Sequence, residues 1–294
     1  MNILVTGKDS YIGDHFKAHM ENAGHTVHVV DTLNDMWEKT DFSIYDTVVH
    51  VAAIVHDNAK TASPQLFEKV NTLLPVRIAT LAKNSGVKQF VFISTMGVYG
   101  IDKTLNYENG IIASDTPLSP KSLYGKSKLE AEHQLNTMSD NNFKVAIVRP
   151  PNVYGHGCNG NYIRLFEKLS YLMPICPQVY TNIRQSMIYI DNLSELIKLI
   201  IEECSAGVFL PQDDYAPNTV ELITLIRSLH GKKTIKSNFL GFILKFFSKI
   251  SIIKKVYGGV KYDMSVSDCF ESRYVIIPFE KGIELTYLST PRNI

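Results

Sequence analysis

Short runs of β-branched and aliphatic residues alternate with segments of helical periodicity along the first half of the chain. Within these runs apolar and polar positions hardly alternate, which is typical of strands buried on both faces of a parallel sheet. The pattern predicts five strands, at Asn2–Thr6, Thr26–Val30, Thr47–Ala52, Gln89–Ser94 and Lys144–Arg149. Strands and helices in this order predict an α/β fold, with a doubly wound parallel sheet covered by helices on both faces.

The segments between the predicted strands carry the spacing of amphipathic helices. In Asp14–Ala23, for example, Phe16, Met20 and Ala23 share one face, and Gly24 provides a stop signal. A helix of this kind covers one face of the sheet with its apolar side.

The pattern changes near residue 155, where glycine and proline become frequent. We therefore predict a first domain over residues 1–155 and a smaller mixed α/β lobe over residues 156–294, with some of its segments returning to the main sheet. In this second region we expect a helix at Asp191–Glu203 and a strand near Val208–Pro211.

One later segment, Phe239–Val260, is strongly apolar but is interrupted by Lys245, Lys249, Lys254 and Lys255. A membrane-spanning helix needs about 20 nearly uncharged residues. We therefore expect helices that pack on the body of the protein, with contact to a membrane surface as the alternative. The start of the chain has no basic, apolar leader pattern, so we expect a cytoplasmic protein.

The composition is that of a globular protein, with 294 residues, a net charge of +1 and 45% hydrophobic residues. This charge balance gives no reason to expect a nucleic-acid partner. The four cysteines, Cys158, Cys176, Cys204 and Cys269, form no metal-binding motif. We therefore expect free thiols in a reducing compartment and no metal site.

The first predicted strand runs directly into a loop that contains Gly7 and Gly13, and then into a helix. In dinucleotide-binding folds one glycine allows a tight turn, another allows close helix packing, and the helix start binds the pyrophosphate. The second strand ends in Asp31, where a carboxylate would bind the ribose hydroxyls and repel a 2′-phosphate. We therefore expect NAD rather than NADP; the alternative is a pair of ordinary turn glycines and a helix-capping aspartate.

Tyr124 and Lys128 lie four residues apart among strong helix formers, so both side chains would project from one helix face. The lysine charge would lower the pKa of the tyrosine and suit it to pass a proton to the oxygen on a carbon that gains or loses a hydride. The same spacing starts again at Tyr99 and at Tyr257, but neighbouring glycines disfavour a helix at both places. The fourth strand places Thr95 at the edge of the sheet where ligands bind, so its hydroxyl could serve the same site. The alternative is a threonine that only caps the end of the strand.

Together these features resemble the extended short-chain dehydrogenase/reductases, the NAD-dependent epimerase/dehydratase family that acts on nucleotide sugars. The resemblance covers nearly the whole chain. It rests on Thr6 to Gly13, Asp31, His50 to Ala53, Asn71, Phe92 to Thr95, Val98 to Gly100, Tyr124 to Lys128, Arg149 to Gly155, and Arg184 to Asn192.

The resemblance implies a Rossmann-like NAD-binding domain, a lobe for a nucleoside-diphosphate sugar that is UDP-linked, and a homodimer. It implies that Thr95, Tyr124 and Lys128 form the catalytic group. It places the substrate against Thr95, Asn152, Asn161 and Arg184. It places the cofactor against Gly7, Ser10, Tyr11, Ile12, Gly13, Asp31, Ala52, Ala53, Asn71, Tyr124, Lys128 and Pro150.

The sequence departs from the family pattern at two places. Ser10 stands where the family usually has its middle glycine, which would narrow the room for the pyrophosphate. Met96 and Gly97 follow Thr95 where sugar 4,6-dehydratases of the family place an Asp-Glu pair. Without carboxyl groups to eliminate water, dehydration is disfavoured.

Within the family, the sequence looks most like a subgroup that acts on UDP-linked 2-acetamido sugars. We therefore expect first a 4-ketoreductase that uses NADH to reduce a UDP-linked 2-acetamido-6-deoxy sugar for surface polysaccharide synthesis. A UDP-hexose or N-acetylhexosamine 4-epimerase with tightly bound NAD uses the same residues and is the alternative. A non-catalytic protein that senses dinucleotide is a more distant one. His56, beyond the third strand, is a further candidate for a substrate contact, although a solvated loop histidine is favoured.

Overall fold

The computed structural model describes residues 1–55, 63–158 and 160–288. Its strands, in chain order, are β1 (Asn2–Thr6), β2 (Thr26–Val30), β3 (Thr47–His50), β4 (Gln89–Ile93), β5 (Ile111–Ile112), β6 (Lys144–Val148), β7 (Asn152–Tyr154), β8 (Ile175–Pro177), β9 (Met187–Tyr189), β10 (Gly207–Phe209), β11 (Ile235–Ser237) and β12 (Lys261–Tyr262). Its helices are α1 (Tyr11–Asn22), α2 (Pro64–Phe67), α3 (Leu74–Asn84), α4 (Leu123–Asn136), α5 (Asn161–Leu172), α6 (Ile190–Glu202), α7 (Thr219–Leu229), α8 (Asn238–Phe246), α9 (Ser251–Tyr257), α10 (Met264–Ser267) and α11 (Phe279–Leu288). A π-helical segment, Glu68–Leu73, joins α2 to α3.

The central sheet has six parallel strands in the order β10-β6-β4-β3-β1-β2. The predicted doubly wound α/β fold is therefore confirmed, and each of the five predicted strands begins at the expected residue. Three of them, β3, β4 and β6, end one or two residues earlier than predicted, because the chain turns into the loops at the carboxyl edge of the sheet. The sixth strand, β10, lies beside β6 at the sheet edge.

Successive residues of one strand point to opposite helical layers. On one face, Ile3 and Val5 pack in a core with Phe16 of α1 and Leu193 of α6. On the other face, Leu4 packs in a core with side chains of α3 and α4. The helices predicted at residues 14–23 and 191–203 correspond to α1 and α6, and both cover the same side of the sheet.

Three short parallel pairs lie outside the main sheet in the described part of the chain: β5 with β12, β7 with β9, and β8 with β11. Their surroundings form a separate core, in which Phe166 of α5, Met187 of β9, Ile223 of α7 and Ile283 of α11 are buried together. This second core lies on residues after 150, whereas α6 and β10, although late in the chain, pack with the main sheet.

The expectation for residues 239–260 is only half right. In α9, Ile253, Val256 and Tyr257 are buried in the second core, as expected. In α8, by contrast, the aromatic side chains face away from the body, and Phe239 and Phe246 are each 72% exposed. Across residues 1–55, 63–158 and 160–288, no helix is long and apolar enough to cross a membrane.

Candidate active site

The glycine loop joins β1 to α1 at the carboxyl edge of the sheet. Gly7 has a φ of +120°, which favours glycine, and a Cβ there would lie 2.9 Å from the backbone nitrogen of Ala52. A Cβ on Gly13 would lie 2.5 Å from Oγ of Ser10 and 3.2 Å from the side chain of Val51. The backbone conformation therefore requires glycine at position 7, and the close approach of α1 to the sheet requires glycine at position 13.

Ser10 is the N-cap residue of α1. Its hydroxyl donates to the carbonyl oxygen of Gly7 at 2.8 Å and accepts from the N–H of Gly13 at 3.2 Å. The hydroxyl that replaces the family's middle glycine is thus held within the loop, where it caps the helix.

Tyr11 and Ile12 are the first residues of α1, and their side chains pack away from the loop. Ile12 lies between the sheet core and the second core. The hydroxyl of Tyr11 is buried and faces Gly155, where an added Cβ would lie 2.8 Å from it. The backbone N–H groups of the two residues lie at the start of the helix, which is the usual position for a bound phosphate.

Asp31 follows β2 and lies beside the glycine loop, because the N–H of Gly7 donates to the carbonyl oxygen of Val30 at 3.1 Å. Its Oδ1 accepts a hydrogen bond from the N–H of Leu33 at 2.8 Å. The carboxylate is therefore held at the end of β2 by its own turn.

Ala52 and Ala53 follow β3 on the other side of β1. The N–H of Ala52 donates to the carbonyl oxygen of Thr6 at 3.0 Å, so this segment continues beside the end of β1. Parallel strands that end at one edge therefore bring Gly7, Asp31 and Ala52 together, as the predicted sheet requires.

Thr95 directly follows β4 and caps the 3₁₀ turn Met96–Tyr99, its Oγ1 accepting from the N–H of Gly97 at 3.0 Å. A cavity of about 220 Å³ opens at this point. It brings together three residues predicted for the site, namely Thr95, Pro150 and Asn152.

Tyr124 and Lys128 lie in the first turns of α4, as predicted. Between them, Gly125 packs so closely that an added Cβ would lie 2.8 Å from the carbonyl oxygen of Gly97. The start of α4 is therefore fixed against the turn that follows Thr95, which brings Tyr124 to the carboxyl edge of the sheet.

Lys128 is buried, and its Nζ donates to the carbonyl oxygen of Ile93 at 2.8 Å and lies 4.4 Å from the ring centre of Phe92. Burial lowers the pKa of Lys128 to about 7, and burial raises the pKa of Tyr124 to about 12. Tyr124 therefore lacks the lowered pKa that the sequence analysis expects, because burial penalises its charged form.

A buried polar network that the sequence analysis missed lies one turn further along α4. Glu132 accepts three hydrogen bonds from the guanidinium of Arg149, at 2.6, 3.1 and 3.2 Å, and one from the hydroxyl of Ser94. Arg149 Nη1 also donates to Oη of Tyr99 at 3.0 Å. The network joins α4 to the ends of β4 and β6, and no local motif in the sequence signals it, because its partners lie 17 to 50 residues apart.

Asn71 is fully buried in the π-helical segment. Its amide accepts from the N–H of Ile54 at 2.9 Å and donates to the carbonyl oxygen of Ile54 and to Oγ of Ser127, each at 3.1 Å. Asn71 therefore ties the loop after β3 to α4, so that it positions both walls of the site rather than presenting its own side chain.

Neither Asn161 nor Arg184 is among the described lining residues of the cavity at Thr95, although Gln185, the residue after Arg184, is one of them. Asn161 is the exposed first residue of α5. Nη1 of Arg184 donates to Glu221 at 2.5 Å and to Oη of Tyr215 at 2.7 Å. His56, the remaining candidate, lies outside the described residues.

Lys103 is a lining residue of the cavity that the sequence analysis missed. Its Nζ lies 4.2 Å from the ring centre of Tyr162. Burial lowers its pKa to about 8, and the charge of Lys255 acts in the same direction. Its signal in the sequence is the tyrosine-lysine spacing that starts at Tyr99. Tyr99 ends the 3₁₀ turn, so the two residues do not share a helix, but Lys103 still reaches the cavity.

These residues fit a dinucleotide. A Cβ at Gly7 or Gly13 would fill the space where the loop approaches β3, and the start of α1 supplies backbone N–H groups to a pyrophosphate. Asp31 stands beside the loop, where ribose hydroxyls would meet a carboxylate.

Residues 3–208 match the model of the NAD dependent epimerase/dehydratase family. The match spans most of the chain, and the chain belongs to this family. The resemblance deduced from the sequence is therefore confirmed, and so is NAD as the cofactor, since the family is NAD dependent.

Among curated relatives, a UDP-glucose 4-epimerase of Vibrio cholerae is 29% identical over 290 residues, which cover 90% of this chain and 88% of the relative. Among solved structures, the UDP-N-acetylglucosamine 4-epimerase from Bacillus cereus superposes with a TM-score of 0.77 at 17% identity, over 99% of this chain and all of the other. The complex of Thermus thermophilus UDP-glucose 4-epimerase with NAD gives a TM-score of 0.71 at 20% identity, over 98% of each chain. At sequence identities of 17% and 20%, these two structural similarities establish a shared fold.

Proposed function

We propose that this protein is an NAD-dependent 4-epimerase of a nucleoside-diphosphate sugar. The observation that carries the proposal is the position of Tyr124 and Lys128 at the start of α4, fixed by Gly125 against the turn after Thr95. The support for epimerisation is the similarity over 90% of the chain to a UDP-glucose 4-epimerase. The substrate that this similarity favours is UDP-linked.

In this proposal residues 1–155 hold NAD and most of residues 156–294 hold the sugar nucleotide. Bound NAD supplies a hydride acceptor and donor for C4 of the sugar. Gly7, Ser10, Gly13 and the first N–H groups of α1 hold the pyrophosphate, and Asp31 accepts hydrogen bonds from ribose hydroxyls. Asn71 keeps the loop with Ala52 and Ala53 against α4.

Tyr124 Oη takes the proton from the 4-hydroxyl and later returns one to the same oxygen. Because burial raises the pKa of Tyr124 to about 12, its phenolate needs a nearby positive charge. Lys128 supplies that charge when it is protonated. The hydroxyl of Thr95 orients the 4-oxygen, and Asn152 lies in the same cavity for the sugar.

Arg184 and Asn161 are proposed to meet the nucleotide part of the substrate. Arg184 is suited to a diphosphate because its planar guanidinium carries several donors. One of its nitrogens already binds Glu221, so this ion pair orients the group.

A 4-ketoreductase, the activity that the sequence pattern favours first, would use the same residues. The two activities differ in the fate of the cofactor, since an epimerase regenerates NAD in place and a reductase consumes NADH. The cofactor content of freshly purified protein, measured by chromatography after denaturation, therefore distinguishes them. About one NAD per chain supports the epimerase, whereas an empty protein that binds added NADH reversibly supports the reductase.

The direct test is incubation with UDP-glucose and, separately, with UDP-N-acetylglucosamine, followed by NMR detection of the C4 epimer. We expect the epimer to form from at least one of the two without added reductant. A protein that retains NAD but converts neither sugar contradicts the proposal and favours the dinucleotide sensor.

A further inference from the structure

The outward face of α8 is apolar. Phe239, Phe242, Ile243 and Phe246 follow the i, i+3, i+4, i+7 spacing of a single helix face. On the opposite side, Gly241 is buried so closely against the chain that an added Cβ would lie 2.3 Å from the carbonyl oxygen of Gln178. The helix is therefore held by its small residue while its large residues point away from the protein.

These large side chains are exposed to a degree that is unusual for phenylalanine. Phe239 and Phe246 are 72% exposed and Phe242 is 61% exposed. The apolar surface continues into the turn after α8 and into α9, where Phe247 is 50% and Ile252 54% exposed. A contiguous apolar surface of this kind marks a contact with another molecule or with a membrane.

The charge of this region is equally one-sided. Residues 222–262 contain eight lysines and one arginine but no aspartate or glutamate, although the whole chain has a net charge of only +1. Lys245 in α8, Lys249 in the following turn, and Lys254 and Lys255 in α9 are all exposed. The partner of this surface must therefore offer apolar material and negative charge together.

A cavity of about 510 Å³ lies next to the same segment. Its lining includes Lys249 and Lys254 together with Thr104, Asn106 and Ser248. Two ammonium groups beside amide and hydroxyl side chains suit an anionic headgroup.

We propose that this region docks on the surface of a membrane that contains anionic lipids. We call it the α8 surface: Phe239, Phe242, Ile243, Phe246 and Phe247 with Lys245, Lys249, Lys254 and Lys255. The aromatic rings enter the boundary between headgroups and acyl chains, where aromatic side chains are favoured. The lysines meet the lipid phosphates, and the exposed helix lies flat in the interface.

Charge complementarity decides between a bilayer and a second copy of the chain. A symmetric dimer through this face would bring two sets of lysines together without an intervening acidic residue, and like charges across an interface repel. An anionic bilayer satisfies the apolar and the basic residues at once. The inference stands apart from the proposed reaction, since none of its residues lies in the candidate active site.

The test is co-sedimentation of the full chain with vesicles of phosphatidylcholine containing about 30% phosphatidylglycerol, compared with vesicles of phosphatidylcholine alone. We expect binding to the anionic vesicles that weakens as salt is raised. The double substitution Phe242→Ser/Phe246→Ser should lower the partition coefficient at least about tenfold, because it removes two inserted rings. Lys249→Gln/Lys254→Gln should lower it about thirtyfold, about a factor of five for each lysine.

Matched controls change the same chemistry elsewhere. Ile44→Ser/Ile276→Ser removes two other exposed apolar side chains, and Lys39→Gln/Lys88→Gln removes two other exposed lysines. Both should bind as the unmodified protein does, and thermal unfolding of each variant checks that it is folded. The proposal would be overturned if the protein bound neutral and anionic vesicles equally, or if the control variants lost as much binding as the test variants. A dimer that the Phe242→Ser/Phe246→Ser substitution dissociates would also overturn it.

Discussion

Glu132 of α4 and Arg149, which follows β6, form a buried ion pair, with Oε2 of the glutamate 2.6 Å from Nη2 of the arginine. Their side chains are 1% and 8% exposed, so water screens neither charge. The pair connects α4 to the end of β6, and Ser94 extends it to the end of β4. The position of Lys128, one turn before Glu132 on α4, therefore depends on a contact between charges that lie outside the cavity.

Glu132→Gln should destabilise the protein strongly. The substitution leaves Arg149 buried without a counter-charge, and breaking one partner of a buried pair typically costs about 3–5 kcal/mol in the free energy of unfolding. Urea unfolding measures this loss. The control is Asp102→Asn, which breaks the exposed Lys121–Asp102 pair and should change stability little. Equal effects of the two substitutions would contradict the structural role of the buried pair.

Tyr124→Phe should lower turnover at least about a hundredfold, because it removes the group proposed to move a proton at the 4-oxygen. The amount of NAD retained per chain should stay nearly unchanged, since the ring and the helix remain. Tyr107→Phe, which alters an exposed tyrosine at 42% exposure, is the matched control and should leave both quantities unchanged. Assays of epimer formation together with nucleotide analysis give the two readouts, and full turnover in Tyr124→Phe would remove the tyrosine from the mechanism.

Gly7→Ala should weaken NAD binding strongly. Gly7 has a positive φ, and an added Cβ would lie 2.9 Å from the backbone of Ala52, so both strain and a clash follow. Gly24→Ala is a control for strain alone, because Gly24 has a φ of +85° but no atom within 4 Å of an added Cβ. Both variants should unfold at a lower temperature than the unmodified protein. Nucleotide titration should show weakened binding in Gly7→Ala alone, and comparable losses in both would mean that strain suffices.

The parallel sheet could be predicted from sequence because its strands are continuous apolar runs that begin at clear boundaries, as in Asn2–Thr6. The local structure of two candidate site residues could also be predicted, because Gly7 lies in a short loop motif and Tyr124 in a run of helix formers. The partner of Arg184 could not, because Glu221 lies 37 residues away in the sequence. The prediction that α8 packs on the body of the protein was wrong for another reason. An apolar composition predicts that residues are buried, but it does not show which surface they pack against.

Lys128 should make the stability of the protein depend on pH. Burial lowers its pKa from 10.5 to about 7 in the folded protein, so between these values the unfolded chain binds more protons than the folded one. The free energy of unfolding should therefore rise with pH from 7 towards 10.5, by up to about 1.4 kcal/mol per pH unit from this residue. Lys128→Met removes that contribution. Lys126→Met, on an exposed position of the same helix, is the matched control.

Urea unfolding of the three proteins at about pH 7, 8 and 9 measures the effect. The advantage of Lys128→Met over the unmodified protein should be greatest near pH 7 and shrink as the pH rises, because the free energy needed to deprotonate Lys128 on folding falls as the pH approaches its unfolded pKa. Lys126→Met should follow the unmodified protein at each pH. Lys103, whose pKa burial also lowers, is present in all three proteins, so its contribution cancels from the comparison. Curves for Lys128→Met and the unmodified protein that stay parallel would mean that Lys128 keeps an ordinary pKa in the folded state.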